Sequence, residues 1–373
     1  MILRLTEKNI LNKLGGGKAI ILLGARQTGK TTLLRKISEN LPDVLWLNAD
    51  EPDVAALFEA PSSSRFKAWF APYKTVVIDE AQRIENIGIK LKLITDHLKE
   101  IQLIATGSSA FELANKINEP LTGRKWEFYL FPLSFAEMVA HHGLLEEKRM
   151  MYHRLVYGYY PDVINSAGNE KEVLKQLSDS YLYKDILRWE GIKKPDKLIK
   201  LLQALSFQVG NQVSYKELGQ ITGLDNETVE KYIQIMEQTF IVFRLNSLQR
   251  NLRNELKKAR KIFFYDNGIR NALISNFAPP ELRNDTGALW ENFLMSERMK
   301  FNHYNSKWAN TFFWRTIAQQ EIDYIEEYDG KFFAYEFKWN PKKKANFSKS
   351  FIQGYTPDDH KTISPLNYDE FLL

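Results

Sequence analysis

Short apolar runs alternate with helical patterns over the first third of the chain. Ala19–Leu23 (AIILL) predicts a buried strand, and Thr31–Ile37 predicts the start of a helix. Three further strands are predicted at Val44–Leu47, Thr75–Ile78 and Gln102–Ala105. Continuous β-branched runs between helices are typical of a parallel sheet covered on both faces. The segment up to about residue 140 is therefore predicted to be an α/β domain.

The pattern changes after Phe131-Pro132-Leu133. Residues 134–205 predict mostly helices, with aromatic faces such as Tyr181-Leu182-Tyr183. From Leu201 the order is three helices and an apolar strand, then KIFFYD as a second strand, an order that resembles a winged helix. Asp225 and Asn226 are the N-cap candidates of the third helix. The part from about residue 284 predicts a helix, a strand, a hairpin and a tail.

Composition excludes several classes of protein. The 373 residues are 44% apolar and 26% charged, which excludes a largely disordered chain. The absence of cysteine excludes disulfides, thiolate zinc sites and cysteine nucleophiles. The start MILRLTEKNI has no apolar core of a secretory signal, and no apolar run approaches about 18–20 residues. We therefore expect a cytoplasmic protein without a membrane partner. The net charge of +5 permits nucleic-acid binding without requiring it.

A phosphate-binding pattern follows the first predicted strand. Gly24–Thr31 reads GARQTGKT, which is GxxxxGK[ST] between a buried strand and a helix. In this pattern the backbone amides surround phosphates, Lys30 reaches the β- and γ-phosphates, and the Thr31 hydroxyl coordinates Mg²⁺. The predicted nucleotide-binding residues here are Gly24, Ala25, Arg26, Gln27, Thr28, Gly29, Lys30, Thr31 and Thr32.

A second motif ends another predicted strand in two acids. Val76-Val77-Ile78 leads into Asp79 and Glu80, the Walker B arrangement. We expect Asp79 to hold Mg²⁺ together with Thr31, and Glu80 to polarise the attacking water. Neither Asn12-Lys13-Leu14-Gly15 nor Asn115-Lys116-Ile117-Asn118 completes the guanine-reading NKxD motif. The expected cofactors are therefore ATP and Mg²⁺.

Two more residues are candidates for contact with the γ-phosphate. The strand Gln102–Ala105 runs into Thr106-Gly107-Ser108-Ser109, so Ser108 or Ser109 would lie beside the other strand ends as a sensor. Arg124, in Leu121-Thr122-Gly123-Arg124, is a candidate arginine finger, acting in cis or across a subunit interface. An exposed arginine in a loop is the open alternative for Arg124.

These motifs together resemble a known family. GARQTGKTTLL, VVIDEAQRI, ATGSS, LTGR and FPLSFAEM, in that order, are similar to archaeal and bacterial AAA-superfamily ATPases fused to a C-terminal domain of uncharacterised function. YLYKDIL at 181–187, KIFFYDNGIR at 261–270 and EIDY…YEFKW also resemble that fusion. The resemblance implies an AAA+-type P-loop domain at 1–140 and a helical segment at 141–195. It further implies a winged-helix-like segment at 196–262 and a restriction-endonuclease-like α/β domain, similar to PD-(D/E)xK nucleases, at 263–373.

The C-terminal hairpin carries a second candidate site. Asp329-Gly330 predicts a two-residue turn, so Tyr328 faces Lys331 and Asp323 lies opposite Glu336. Alternation places Glu321, Asp323, Glu336 and Lys338 on one face; the other face carries Ile322, Tyr324, Phe333, Tyr335 and Phe337 as a core face.

Opposed carboxylates repel unless something neutralises them. Mg²⁺ or Mn²⁺ between Asp323 and Glu336 would do so, with Lys338 polarising a phosphate or water and Glu291 as a further ligand. This arrangement resembles the metal site of PD-(D/E)xK nucleases, although Ile322 stands where that signature has proline. The open alternative is a solvated face on which Lys338 alone neutralises the acids.

Basic clusters flank these segments. They comprise Arg250, Arg253, Lys257, Lys258, Arg260 and Lys261, and then Lys342, Lys343 and Lys344. Such clusters bind phosphates, so DNA is a predicted partner, with charged helix faces as the alternative. We therefore expect an ATPase whose C-terminal half engages nucleic acid. The rival is a signalling-type regulatory NTPase switch whose C-terminal half is a catalytically inactive protein-interaction module. An oligomer or a protein partner is compatible with either hypothesis.

Overall fold

The structure is a computed structural model, which describes residues 2–108, 117, 120–179, 192, 194–248, 259–316, 319–343 and 347–373. Several sequence predictions fall outside these residues: Ser109, the YLYKDIL motif, Arg250, Arg253, Lys257, Lys258 and Lys344. The chain divides into two compact units. The first is Met1–Leu133 with Gln238–Phe240, and the second is Ser134–Glu237 with Ile241–Leu373.

The first unit is a parallel sheet with helices between its strands. Its described helices are α1 (Leu5–Leu11), α2 (Lys30–Ser38), α3 (Pro52–Leu57), α4 (Ser63–Phe70) and α5 (Ile87–His97). Its strands are β1 (Ala19–Leu23), β2 (Val44–Asn48), β3 (Thr75–Asp79), β4 (Gln102–Gly107) and β5 (Lys125–Tyr129). The order is β2-β3-β4-β1-β5, and every neighbouring pair is parallel. The predicted α/β fold is confirmed, and the carboxyl ends of β1, β4 and β3 meet at one edge.

The apolar runs of the sequence form the core of this unit. Every residue of β1 and β3 is buried. Ile20, Val77 and Ile104 of the sheet pack against Leu33 and Leu34 of α2. Burying one such side chain contributes about 1.5–3 kcal/mol, so helix α2 is held firmly on the sheet by its apolar face. The loop before α2 is thereby fixed at both of its ends.

The second unit contains a mixed sheet and many helices. Its described helices are α6 (Phe135–His142), α7 (Leu144–Arg149), α8 (Met151–Tyr157), α9 (Pro161–Ile164), α10 (Glu170–Leu177), α11 (Pro195–Phe207), α12 (Tyr215–Thr222), α13 (Asn226–Gln238), α14 (Asn267–Leu273), α15 (Thr286–Tyr304), α16 (Lys349–Tyr355) and α17 (Tyr368–Leu372). Its strands are β6 (Gln212–Val213), β7 (Val242–Ser247), β8 (Arg260–Phe264), β9 (Asn310–Arg315), β10 (Glu321–Tyr328), β11 (Lys331–Phe337) and β12 (Asp359–Ile363). Asp225 caps α13 as predicted, since its Oδ1 accepts the Thr228 N–H at 2.8 Å.

One predicted boundary divides a single sheet. The strand order is β12-β11-β10-β9-β7-β8-β6, with β7 antiparallel to β8 and parallel to β9. A boundary between residues 262 and 263 cuts through β8 and separates β7 from its neighbour β9. The strands predicted to belong to a winged-helix-like segment therefore continue the C-terminal sheet. The sequence pattern did not predict this continuity because β7 and β9 are paired across more than 60 residues of chain.

The KIFFYDNGIR motif is buried and hydrogen-bonded within the second unit. Asp266 accepts the N–H groups of Tyr159 at 2.6 Å and Ile269 at 3.1 Å, so it caps α14. Asn271 donates to the carbonyl oxygens of Leu155 and Val156. These bonds connect α14 to α8 and satisfy buried backbone groups. The motif therefore has a structural role in the described chain.

A buried ion pair stabilises the hairpin from its other side. The Glu326 carboxylate accepts hydrogen bonds from Arg298 at 2.7 and 2.8 Å and from Lys307 at 2.8 Å. Burial alone would raise the pKa of Glu326, but hydrogen bonds and charge from Arg298 lower it to about 2. The face predicted to be a core face thus also contains a paired acid.

Within the described part of the chain, no helix is both long and apolar enough to span a bilayer.

Candidate functional site

The segment from Gly24 to Thr31 forms a tight loop between β1 and α2. Its backbone enters the left-handed region at Gln27 (φ 55°) and at Gly29 (φ 92°), and α2 begins at the next residue, Lys30. A loop of this shape before a helix turns consecutive N–H groups toward one point, which is how proteins bind phosphate. The predicted phosphate-binding loop therefore has the backbone that its chemistry needs.

Gly24 is required by a close approach of the chain. A Cβ atom built at this position would lie 2.1 Å from the carbonyl oxygen of Leu130, which is backbone and has little freedom to move. The Leu130 N–H in turn bonds to the Leu23 carbonyl at 2.7 Å. Only glycine fits where the loop leaves β1.

The two polar residues at the start of α2 both make hydrogen bonds within the site. Lys30 is 5% exposed, and its Nζ donates to the carbonyl oxygens of Gly24 and Ala25, both at 2.8 Å. Thr31 Oγ1 donates to Asp79 Oδ2 at 2.8 Å. The structure thus brings the loop lysine, the loop threonine and the first acid of the Walker B motif together. Thr32, the next residue of α2, is exposed.

Thr106 connects the two acids of the Walker B motif. Its hydroxyl donates to Asp79 Oδ1 at 2.5 Å and accepts the N–H of Glu80 at 3.0 Å. Glu80 itself has a left-handed backbone (φ 52°), a strained conformation that is common at functional sites. The prediction named Ser108 or Ser109 in this segment and missed Thr106. Its position in ATGSS, at the end of a strand predicted to lie beside the others, was the available signal.

Gln82 links Glu80 to the predicted sensor. Its Nε2 donates to the Glu80 carboxylate and, at 3.0 Å, to Ser108 Oγ. Ser108 therefore lies beside Glu80 at the carboxyl edge of the sheet, as expected from the strand order. Gln82 was also missed, because a glutamine two residues after an acid has no signature of its own.

The structure places Arg124, the candidate arginine finger, away from the phosphate-binding loop of its own chain. Its carbonyl accepts the N–H of Ala19, so it lies at the amino end of β1, whereas the loop follows the carboxyl end. Those ends are separated by roughly 13 Å of strand, at about 3.3 Å per residue. The guanidinium is instead paired with Asp96 at 2.5 Å. A role across a subunit interface stays a prediction.

The C-terminal hairpin has the predicted turn and register. Asp329 and Gly330 both have positive φ (51° and 74°), as a two-residue hairpin turn of this sequence requires. Tyr328 pairs with Lys331 and Tyr324 with Tyr335. At the next position the Asp323 carboxylate accepts the N–H of Phe337 at 2.7 Å.

Four acids and two lysines gather beyond this point. Lys338 Nζ lies 2.7 Å from a Glu336 oxygen and 3.8 Å from an Asp323 oxygen. Lys261 of β8, which is 2% exposed, pairs with Glu291 of α15 at 2.9 Å and with Glu321 at 2.6 Å. We call Lys261, Glu291, Glu321, Asp323, Glu336 and Lys338 the acid–lysine cluster. The sequence predicted all of its acids and Lys338, but it assigned Lys261 to a basic surface.

In this cluster, the burial of the carboxylates and their mutual repulsion outweigh the attraction of the two lysines. Burial raises the pKa of Glu336 to about 7, assisted by the charge of Asp323 and opposed by Lys338. Burial likewise raises the pKa of Glu291 to about 7, although Lys261 opposes it. The charges of Glu291, Asp323 and Glu321 raise the pKa of Lys261 despite its burial. Both acids therefore titrate near neutral pH.

The predicted metal site of Glu291, Asp323 and Glu336 is not formed in this arrangement. Across the described ranges, no group of three or more His, Asp or Glu side chains converges closely enough to hold a metal ion. The reason is the two lysines, which lie between the acids and take their oxygens. The open alternative, internal neutralisation by lysine, describes the observed contacts. The face also contains Ile325 and Ala334, which pack with Phe351, so it is not wholly polar.

The described residues of the two predicted basic clusters do not form one surface. Arg260 pairs with Glu230 at 3.2 Å, and Lys261 is buried in the cluster. Lys342 and Lys343 are exposed after β11.

Comparisons with known proteins agree with this architecture. Residues 16–139 match a family model described as AAA domain, residues 148–280 a domain of unknown function (DUF8612), and residues 286–366 a domain of unknown function (DUF4143). An uncharacterised protein of Haemophilus influenzae is 25% identical over 283 residues, 68% of each chain. An uncharacterised protein of Mycobacterium bovis is 23% identical over 325 residues, 86% of this chain and 70% of that one.

A solved structure supports the fold. The Walker-type ATPase of Pyrococcus abyssi superposes with a TM-score of 0.51 at 14% identity, covering 74% of this chain and 96% of that one. The fold is thus an α/β domain whose parallel sheet resembles that of a P-loop ATPase, and a further sheet domain follows it. Along the chain, the match to the AAA domain model is followed by a match to the DUF4143 model. The resemblance to AAA-superfamily ATPases fused to an uncharacterised domain is confirmed.

Proposed function

We propose that the first unit binds ATP with Mg²⁺ and hydrolyses it. The observation that carries this proposal is the hydrogen-bonded set of Lys30, Thr31, Asp79 and Glu80 at the carboxyl edge of the sheet. Phosphates at helix N-termini and parallel-strand edges are bound by this kind of arrangement. The missing guanine-reading motif favours ATP over GTP.

The residues present fit the nucleotide and its metal. Thr31 Oγ1 and the Asp79 carboxylate, 2.8 Å apart, are the hard oxygen ligands that Mg²⁺ takes in proteins. When bound, the ion would neutralise phosphate charge. Lys30 would exchange its loop carbonyls for phosphate oxygens, and the backbone N–H groups from Gly24 to Thr32 would surround the phosphates.

Glu80 would orient the attacking water and take up its proton. Gln82 Nε2 donates one hydrogen bond to the Glu80 carboxylate and another to Ser108 Oγ. These contacts support a defined position for the Glu80 carboxylate. A general base of this kind contributes about 10²–10⁴-fold to rate.

The test is ATP turnover by the wild-type chain and by Glu80→Gln. The amide keeps the shape of the side chain but loses the charge, so we expect ATP to bind normally and turnover to fall at least about 100-fold. Glu85→Gln, an exposed acid near the same motif, is the matched control and should turn over normally. Wild-type turnover by Glu80→Gln would remove Glu80 from the reaction.

We also propose that the second unit engages DNA through its C-terminal sheet. Support comes from the acid–lysine cluster, since Asp323, Glu336 and Lys338 lie together in the register expected of a nuclease-like D…ExK hairpin. The order α11, β6, α12, α13, β7, β8 supports a winged-helix-like segment beside it. For cleavage, Mg²⁺ or Mn²⁺ would have to displace the lysines from the acids.

Two measurements test this second proposal. ATP turnover with and without single- and double-stranded DNA should show stimulation by DNA. If Mn²⁺ displaces the lysines and the second unit cleaves DNA, that cleavage should be lost in Asp323→Ala and kept in Glu327→Gln, an acid on the same strand near the turn. If DNA neither stimulates turnover nor is cleaved, the regulatory switch with a protein-binding C-terminal half is the better account.

A further inference from the structure

Arg4 lies against the phosphate-binding loop, from a segment outside the matched AAA domain. The family match begins at residue 16, whereas Arg4 immediately precedes α1. The side chain is 7% exposed, and its guanidinium donates to the Thr28 carbonyl and to the Phe131 carbonyl, both at 2.6 Å. Hydrogen bonds from a charged donor at this distance are among the strong ones in proteins.

The bond to Thr28 orients a peptide group of the loop. Because a trans peptide is planar, its C=O and N–H point in opposite directions. A Thr28 carbonyl that points to Arg4 therefore turns the Gly29 N–H away from Arg4. Gly29 has φ 92° and ends the loop at the start of α2, where its N–H is one of the amides that would bind phosphate. The Thr28 hydroxyl bonds to the Ala25 carbonyl at 2.8 Å, which fixes the same residue from its side chain.

The bond to Phe131 connects the loop to the segment Leu130-Phe131, which packs against Gly24. Leu130, the preceding residue, is the backbone whose oxygen excludes any side chain at Gly24. The guanidinium thus holds together the two segments that fix the loop at its beginning and near its end. Arginine suits this task because its planar fork presents several donors in fixed directions, whereas lysine has a single small charge.

We propose that Arg4 is a positioning residue of the nucleotide site, which sets the Thr28–Gly29 peptide for phosphate binding and thereby makes the segment before residue 16 part of that site. The inference rests on the proposed ATP function of the loop. It assigns no contact of Arg4 with the nucleotide itself.

The test compares Arg4→Lys and Arg4→Ala with a matched control in the same segment. Glu7→Gln removes the ion pair of α1 with Lys36 (2.6 Å), which also joins the N-terminal segment to α2 but does not touch the loop. The first measurement is amide hydrogen exchange of residues 24–31 without nucleotide. The second is the Kd of Mg·ATP, with Arg4→Ala measured in the presence and absence of dilute guanidinium ion.

We expect faster exchange at residues 24–31 in both Arg4 variants and a Kd that rises about tenfold or more, since a charged hydrogen bond is lost. Guanidinium ion should recover part of the affinity of Arg4→Ala, and Glu7→Gln should stay within about twofold of wild type. A purely structural role would lower the melting temperature of Arg4→Lys without changing either readout, and that result overturns the inference.

The two proposals fail in different ways. If the wild-type chain binds ATP and Arg4→Lys binds it equally well, the inference is wrong and the ATP site stands. If the wild-type chain binds no nucleotide, the ATP site is wrong and the positioning role falls with it.

Discussion

Gly24→Ala tests the packing of the phosphate-binding loop. The new methyl group would lie 2.1 Å from the Leu130 carbonyl oxygen and 3.0 Å from its carbonyl carbon. Ordinary contacts between such atoms are about 3.5 Å, so the overlap exceeds about 1 Å. Overpacking costs about 1–3 kcal/mol. Moving Leu130 would also weaken its 2.7 Å bond to the Leu23 carbonyl, adding about 1 kcal/mol.

The expected loss is therefore about 2–4 kcal/mol, measured as the free energy of unfolding of the first unit. For a unit of this size it corresponds to a fall of about 10 °C in melting temperature. The assay is calorimetry, followed by Mg·ATP binding below the transition. We expect binding to be lost as well, because the loop must move with its first residue.

Two other glycines separate the causes. Gly16→Ala meets only the Lys13 carbonyl, at 3.5 Å, and should be close to neutral. Gly123→Ala has open space but φ 74°, so backbone strain of about 1–2 kcal/mol is expected alone. If Gly24→Ala has the same melting temperature as Gly16→Ala and still binds ATP, the proposed close contact between the Leu130 backbone and Gly24 is refuted.

Three further predictions concern single residues. Arg124→Ala should leave the ATPase turnover of dilute monomeric protein unchanged; a loss there would contradict its position at the opposite sheet edge. Thr106→Val removes the hydroxyl between Asp79 and Glu80, so it should slow turnover about tenfold or more and also lower the melting temperature; unchanged turnover, measured well below the unfolding transition, would refute its role. The folded-state pKa of Glu336, about 7, lies above its ordinary 4.5, so its stabilising contribution is full below pH 4.5 and is lost as the pH rises through 7. The melting temperature of Glu336→Gln minus that of the wild type should therefore increase as the pH rises from 5 to 8. If this difference does not change with pH, the raised pKa of Glu336 is excluded.

The local patterns of the sequence predicted the elements well where one physical cause dominates. Buried strands such as β1 and β3 are continuous apolar runs, and the turn at Asp329-Gly330 needs two left-handed residues. Each is a property of a few consecutive residues. The register of the hairpin followed from the turn, and with it the approach of Asp323 to Lys338.

Contacts between distant residues could not be predicted in the same way. Lys261 belongs to a basic run in the sequence, and only the pairing of the sheet places it between Glu291 and Glu321. Arg4 has no pattern of its own until the chain brings Thr28 and Phe131 to it. The side of the sheet on which Arg124 lies was likewise decided by the direction of β5.

The measurement that tests the central claim most directly is calorimetric titration of Mg·ATP into the wild-type chain and into Lys30→Ala. Lys30 is the main side-chain charge of the loop, so we expect the wild type to bind and the variant to lose affinity by about 100-fold or more. Lys36→Ala, on the same helix but paired with Glu7, should bind as the wild type does. A wild-type chain that binds no Mg·ATP, or a Lys30→Ala variant with unchanged Kd, would contradict the assignment of this loop as the nucleotide site.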